Sequence, residues 1–109
     1  MSISHASPGQ LIDVRPLNDR IADTQTRTLI KTDAFQVLRL VLPAGKKIAE
    51  HKAPAEITVQ CIEGHVKFIS SGASQDLHAG ELLYLSAAEP HAVEAITDSS
   101  LLVTLLLPT

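Results

Sequence analysis

Aromatic side chains are scarce in this chain: there is no tryptophan, and only three of 109 residues are aromatic, Tyr84 among them. The apolar 45% of the sequence is therefore mostly aliphatic, and Leu, Ile and Val must fill the interior. A single cysteine, Cys61, excludes an internal disulfide framework. It sits in an apolar run with no cationic neighbour in sequence to lower its pKa, so it reads as a small buried hydrophobe rather than a reactive thiol. Long apolar runs are lacking too. Leu101 to Leu107 is far short of the roughly 20 residues a membrane span needs. The opening residues M-S-I-S-H-A-S-P-G have neither the basic start nor the apolar stretch of a secretory signal, and the expected location is cytoplasmic. Excess positive charge is also missing. With a net charge of −3, neither nucleic acid nor an anionic membrane is an expected partner. No glycine-flanked serine elbow and no glycine-rich phosphate loop occurs.

What is there is a series of short apolar stretches punctuated by Gly, Pro, Ser and Asp, the pattern of an all-β sandwich or barrel. Strands are expected at Leu11–Val14, Thr28–Ile30, Ala34–Leu42, Ile57–Ile62, Val66–Ser70, Leu82–Leu85, Ala92–Ile96 and Leu101–Leu107. Leu17 to Thr28 carries no sustained helical stripe and is expected to hold at most a turn. Pro43-Ala44-Gly45 ends the long third strand, because proline cannot donate to a ladder and glycine permits a positive φ. Ser70 to Ser74 is a polar hairpin tip. Period-two alternation puts Ile57, Val59 and Cys61 on one wholly apolar face, with Thr58 and Gln60 on the other. In the same way Val66 and Phe68 oppose His65 and Lys67. Residues 1–9 are expected to be a flexible tail and 10–109 a single domain.

Two glycine-to-histidine frames carry the strongest signal. In the first, Gly45 is followed after five residues by His51, after one by Ala53, after three by Ile57 and after six by Gly64. In the second, Gly80 is followed after five residues by Ser86, after one by Ala88, after two by His91 and after three by Ala95. Both resemble the two motifs of the cupin superfamily, G-x5-H-x-H-x3,4-E-x6-G and G-x5-P-x-G-x2-H-x3-N, in register and without a gap. The resemblance spans Gly45 to Ala95. It implies a cupin-type antiparallel double-sheet jelly-roll barrel, with a pocket between the sheets and a homodimer as the assembled form.

Metal-binding cupins take their ligands from two histidines and a glutamate of the first motif and the histidine of the second. Here His51 and His91 match, while Ala53 and Ile57 offer no donor atom. Two imidazoles fall short of the three or more protein ligands that hold Fe, Mn or Ni. Glu56, one residue before the vacant glutamate position, is the weak candidate for a third ligand, although strand parity turns it to the opposite face. The cofactor expected is therefore none, or a weakly held divalent Fe, Mn, Ni or Zn. The expected ligand pocket comprises His51, His91, Ile57, Val59, Cys61, Phe68 and Tyr84, suited to a small and largely apolar organic molecule.

The expected function is a small-molecule binding or sensor module. Three alternatives stay open. One is a metal-dependent oxygenase or isomerase in which Glu56, or Gln60 reached through a bulge, completes a site with His51 and His91. A second is a metal-free enzyme like the sugar epimerases of the family, pairing a histidine with Tyr84. The third is a purely structural barrel with a filled core. Whether the chain is an enzyme is left undecided by its residues.

Overall fold

Alternation in the central strands decides which side chains face inward. A computed structural model describes residues 5–108 and contains nine strands. They are β1 (Arg27–Lys31), β2 (Phe35–Leu42), β3 (Lys47–His51), β4 (Ile57–Glu63), β5 (His65–Ser70), β6 (Ala73–His78), β7 (Leu82–Leu85), β8 (His91–Ala95) and β9 (Ser99–Leu106). A five-stranded sheet runs in the order β1-β2-β9-β4-β7, and a four-stranded sheet in the order β3-β8-β5-β6. Every pairing is antiparallel. The two sheets form the antiparallel jelly-roll barrel that the motif resemblance implies, within the all-β class that the pattern predicts.

The inward faces supply one core. Val59 and Cys61 of β4, Val66 and Phe68 of β5, Val93 and Ala95 of β8, and Leu101 of β9 are all buried in it. The alternation read from the sequence in β4 and β5 is thus the alternation of burial in the structure. Cys61 is fully buried, and burial pushes its thiol pKa up, which keeps it protonated and unreactive.

Two strands are unannounced by hydrophobic pattern. β3 has no buried residue, and β6 has only Leu77. The expected strand at Leu11–Val14 is instead irregular chain with no ladder partner. The turn expected within Leu17–Thr28 is a 3-10 helix at Asn18–Asp23. Its Leu17 and Ile21 pack on Val41 and form a second, small apolar cluster on the outer face of β2. Residues 1–4, part of the expected flexible tail, lie outside the described residues, while the Ala6 amide donates to the Leu29 carbonyl at 2.8 Å.

Beneath this N-terminal segment sits a charge pair, of which Arg39 is buried and Glu63 partly so. Arg39 Nη2 donates to Glu63 Oε2 at 3.5 Å, to Ser100 Oγ at 3.3 Å and to the Arg15 carbonyl. Glu63 also accepts from the amides of Leu17 (2.7 Å) and Asn18 (2.8 Å) and from the Ser100 hydroxyl (2.6 Å). The pair therefore fastens the 3-10 helix to the five-stranded sheet.

Candidate functional site

The two motif histidines meet because β3 contains a bulge. Ile48 pairs with Val93, yet the next pairing is His51 with His91, so three residues of advance on β3 match two on β8. One extra residue reverses the strand's phase and returns His51 to the face that Ile48 occupies. The motif glycine-bearing turn is tied to the same strand: the Gly45 amide donates to the Ala95 carbonyl at 2.8 Å, and the Ala95 amide to the Lys46 carbonyl at 2.9 Å.

The imidazole rings of His51 and His91 lie 4.2 Å apart between centroids, edge to face at 63°. The ring of Phe68 stacks on His91 at 5.7 Å. His91 is buried, whereas His51 is exposed at the rim. Each histidine makes the same local hydrogen bond, from Nδ1 to the carbonyl two residues earlier: Ala49 for His51 and Glu89 for His91, both at 3.0 Å. A carbonyl oxygen can only accept, so the neutral rings carry their proton on Nδ1 and keep the Nε2 lone pair free.

Below them lies a cavity of about 290 Å³ between the sheets, close to the lower end of the range for small-molecule sites. Its walls are greasy. Leu38 and Leu40 come from β2, Ile57 and Val59 from β4, and Leu101, Val103 and Leu105 from β9. The four-stranded sheet adds Ile48, Phe68 and Val93, with Lys52, Ala53 and Pro54 at the mouth.

Of the residues singled out in the sequence, His51, His91, Ile57, Val59 and Phe68 line this one cavity. Cys61 shares their face of β4 but lies deeper in the core, outside the lining. Tyr84 is elsewhere. It pairs with Thr58 across β4 and β7 and so shares that residue's outward face, 61% exposed. There its hydroxyl donates to Glu56 Oε2, and that contact to a carboxylate pushes the phenol pKa up. Glu56 is therefore engaged on the outside of the sheet, away from the histidines, as parity requires. Gln60 is exposed on the same outer face. The β2 and β9 lining lies beyond the residues that the motifs single out, although the period-two runs Leu38-Leu40 and Leu101-Val103-Leu105 carry its signal in the sequence.

These residues do not fit a metal held by three protein ligands. The positions beside the histidines carry the methyl of Ala53 and the hydrocarbon of Ile57, both turned into the core. Among the described residues, no group of three or more His, Cys, Asp or Glu side chains is arranged to hold a metal ion. What the site offers chemically is a pair of imidazole acceptors at the mouth of an apolar cavity.

A small double-sheet barrel with two histidines at its open end defines a class of protein, and sequence comparison agrees. The description "Cupin domain" matches residues 38–107. The chain belongs to the cupin superfamily. No curated protein matches it. Among solved structures it is similar to a conserved protein of unknown function from Streptococcus pyogenes, at 19% identity and a TM-score of 0.77, covering 100% of this chain and 97% of that one. It is also similar to an RmlC-like cupin from Desulfovibrio desulfuricans, at 24% identity and a TM-score of 0.71, covering 94% and 97%. A third likeness is to salicylate 1,2-dioxygenase from Pseudoaminobacter salicylatoxidans, at 16% identity and a TM-score of 0.69, covering 73% of this chain but 25% of that enzyme. At these identities the likeness is one of fold, and the superfamily's folds host unrelated activities.

Proposed function

We propose that this cupin domain binds a small, largely apolar organic molecule in the barrel mouth and serves as a binding or sensor module. The observation that carries the reading is the chemistry of the cavity: hydrocarbon walls ending in two imidazoles whose Nδ1 atoms are already committed to backbone carbonyls. The ligand that suits it has a compact apolar body and a hydroxyl able to donate to Nε2, as a phenol or a short alcohol does. The working form is a homodimer in the cytoplasm. Support for the dimer comes from Leu82, Tyr84 and Leu106, which lie exposed on the outer face of the five-stranded sheet.

The test is calorimetric titration with a panel of phenols and short alcohols, for the parent protein and for His51→Ala/His91→Ala. Saturable binding weakened at least about tenfold in the double variant is expected, from the loss of the hydroxyl's hydrogen bond to Nε2 and of both imidazole rings' contact at the mouth of an apolar site. Binding by no member of the panel would favour a barrel with a structural role. Incubation with Fe(II), Mn(II), Ni(II) and Zn(II), desalting and elemental analysis completes the test. Near-stoichiometric metal that disappears in the double variant would overturn this reading in favour of an oxygenase or isomerase.

A further inference from the structure

The barrel mouth is not the only cavity. A second one, about 300 Å³, lies on the outer face of the five-stranded sheet under the N-terminal segment. The chain contains four arginines, Arg15, Arg20, Arg27 and Arg39, and all four line this cavity. The five lysines are all elsewhere. In a chain of net charge −3, this is a marked concentration of one cation type. The only carboxylate in the lining is Asp13, and Arg15 holds it with two hydrogen bonds, at 2.8 and 3.0 Å.

The arginines are not spent on one another's partners. Arg39 pairs with Glu63 through Nη2, but its Nε is buried with no hydrogen-bond partner. Among the described residues, Arg20 and Arg27 make no ion pair. The acidic residues of the adjacent 3-10 helix, Asp19 and Asp23, are not in the lining. Guanidinium groups present planar forks of donors that match the paired oxygens of a carboxylate or phosphate. The walls also supply carbon. Leu17 and Leu29 are buried there, and Leu11 stands 97% exposed at the rim. Solvated surface arginines would need neither a shared cleft nor an unpartnered buried donor in its lining.

We infer that this cavity is a second binding site, separate from the barrel mouth, which takes a small organic anion through its carboxylate or phosphate group. Arg27 and the Nη groups of Arg20, whose Nε donates to the Leu17 carbonyl at 3.4 Å, supply the forks. Arg39, its charge matched by Glu63, adds a buried Nε without a partner, and Leu11, Leu17 and Leu29 give the contact for the ligand's carbon body. The inference does not rest on the function proposed for the histidines.

The experiment is calorimetric titration with inorganic phosphate and with citrate at low ionic strength, where surface charge is least screened, with chloride at matched ionic strength as the blank. Arg Nε–Hε signals are followed by NMR in the same titrations. Saturable binding of phosphate or citrate is expected, with movement of the arginine signals, and the tighter of the two probes identifies the head group. Arg20→Gln/Arg27→Gln should weaken it at least about tenfold, while His51→Ala/His91→Ala leaves it unchanged. Circular dichroism checks that the arginine variant is folded. Should it not fold, Arg27→Gln alone, at an exposed strand end, is expected to cost at least about threefold. Absence of saturable binding by either probe, binding no stronger than chloride, or full affinity in the folded arginine variant would overturn the inference.

Discussion

Gly64 shows how much one residue can decide. It joins β4 to β5 with a φ of +89°, and a Cβ at this position would overlap Ser99 Oγ and the Asp98 carbonyl oxygen. Any L side chain here meets both a backbone penalty and a collision with chain that cannot retreat, because Ser99 is itself fully buried. Gly64→Val should therefore cost at least about 3 kcal/mol of stability, read by chemical denaturation, at the severe end of single substitutions. Glu63, its neighbour, has an electrostatic role. Burial pushes its carboxyl pKa up, but the Ser100 hydroxyl, the Leu17 and Asn18 amides and Arg39 outweigh that and hold it below the ordinary value. A depressed folded-state pKa gives stability that is full above the unfolded value of about 4.3 and is lost as pH falls through the lower folded value. Glu63→Gln should flatten that acid limb. At neutral pH it should cost about 3 kcal/mol, because the buried Arg39 loses its carboxylate. Denaturation midpoints measured between neutral pH and the acid limb check both statements.

Among the elements, β3 matters most for the site and was least visible in the sequence. Its residues, K-I-A-E-H, alternate in neither polarity nor burial, and its bulge is a property of pairing with β8 rather than of composition. The same reasoning explains β6, an edge strand with one buried side chain. By contrast β4 and β5 are half-buried on one face, so their period of two was legible residue by residue. The spacing of the motifs told which histidines belong together, and alternation told the lining of β4 and β5. The chemistry of Tyr84 suggests a place in the pocket, yet Leu85 beside it claims the inward face. Leu11–Val14 has the apolar content of a strand but forms no ladder with either sheet, and Leu11, Ile12 and Asp13 line a cavity instead. Deleting Ala49 should remove the extra residue, so that His51 stands two positions after Ile48, on the same inward face and still opposite His91. The expected result is a folded protein that binds the phenol and alcohol panel like the parent. Binding reduced to that of His51→Ala would show that the bulge does more than correct the strand's phase.

At the scale of the whole molecule, the outer face of the five-stranded sheet is the feature that departs from a solvated surface. Leu82 and Tyr84 lie near one edge of the sheet, and Leu106 projects from the same face on its central strand. If the homodimer buries this face, Leu82→Lys/Tyr84→Lys should convert a dimer to a monomer of unchanged circular dichroism, measured by light scattering after gel filtration. A parent protein that elutes as a monomer would remove the dimer from the proposal. The charge pair of Arg39 and Glu63 and the cluster of Leu17, Ile21 and Val41 make the N-terminal segment a structural part of this molecule.

The sheet order has a consequence for synthesis. β9 lies between β2 and β4, so until Ser99–Leu106 has been made the larger sheet exists as two unconnected pairs, β1-β2 and β4-β7. Throughout that interval β2 and β4 each present an unpaired edge whose inward face is aliphatic, the kind of surface that recruits other chains or a chaperone. The nascent barrel thus depends on its final strand, and the interval before Ser99 emerges from the ribosome is when the chain is most exposed to mispairing.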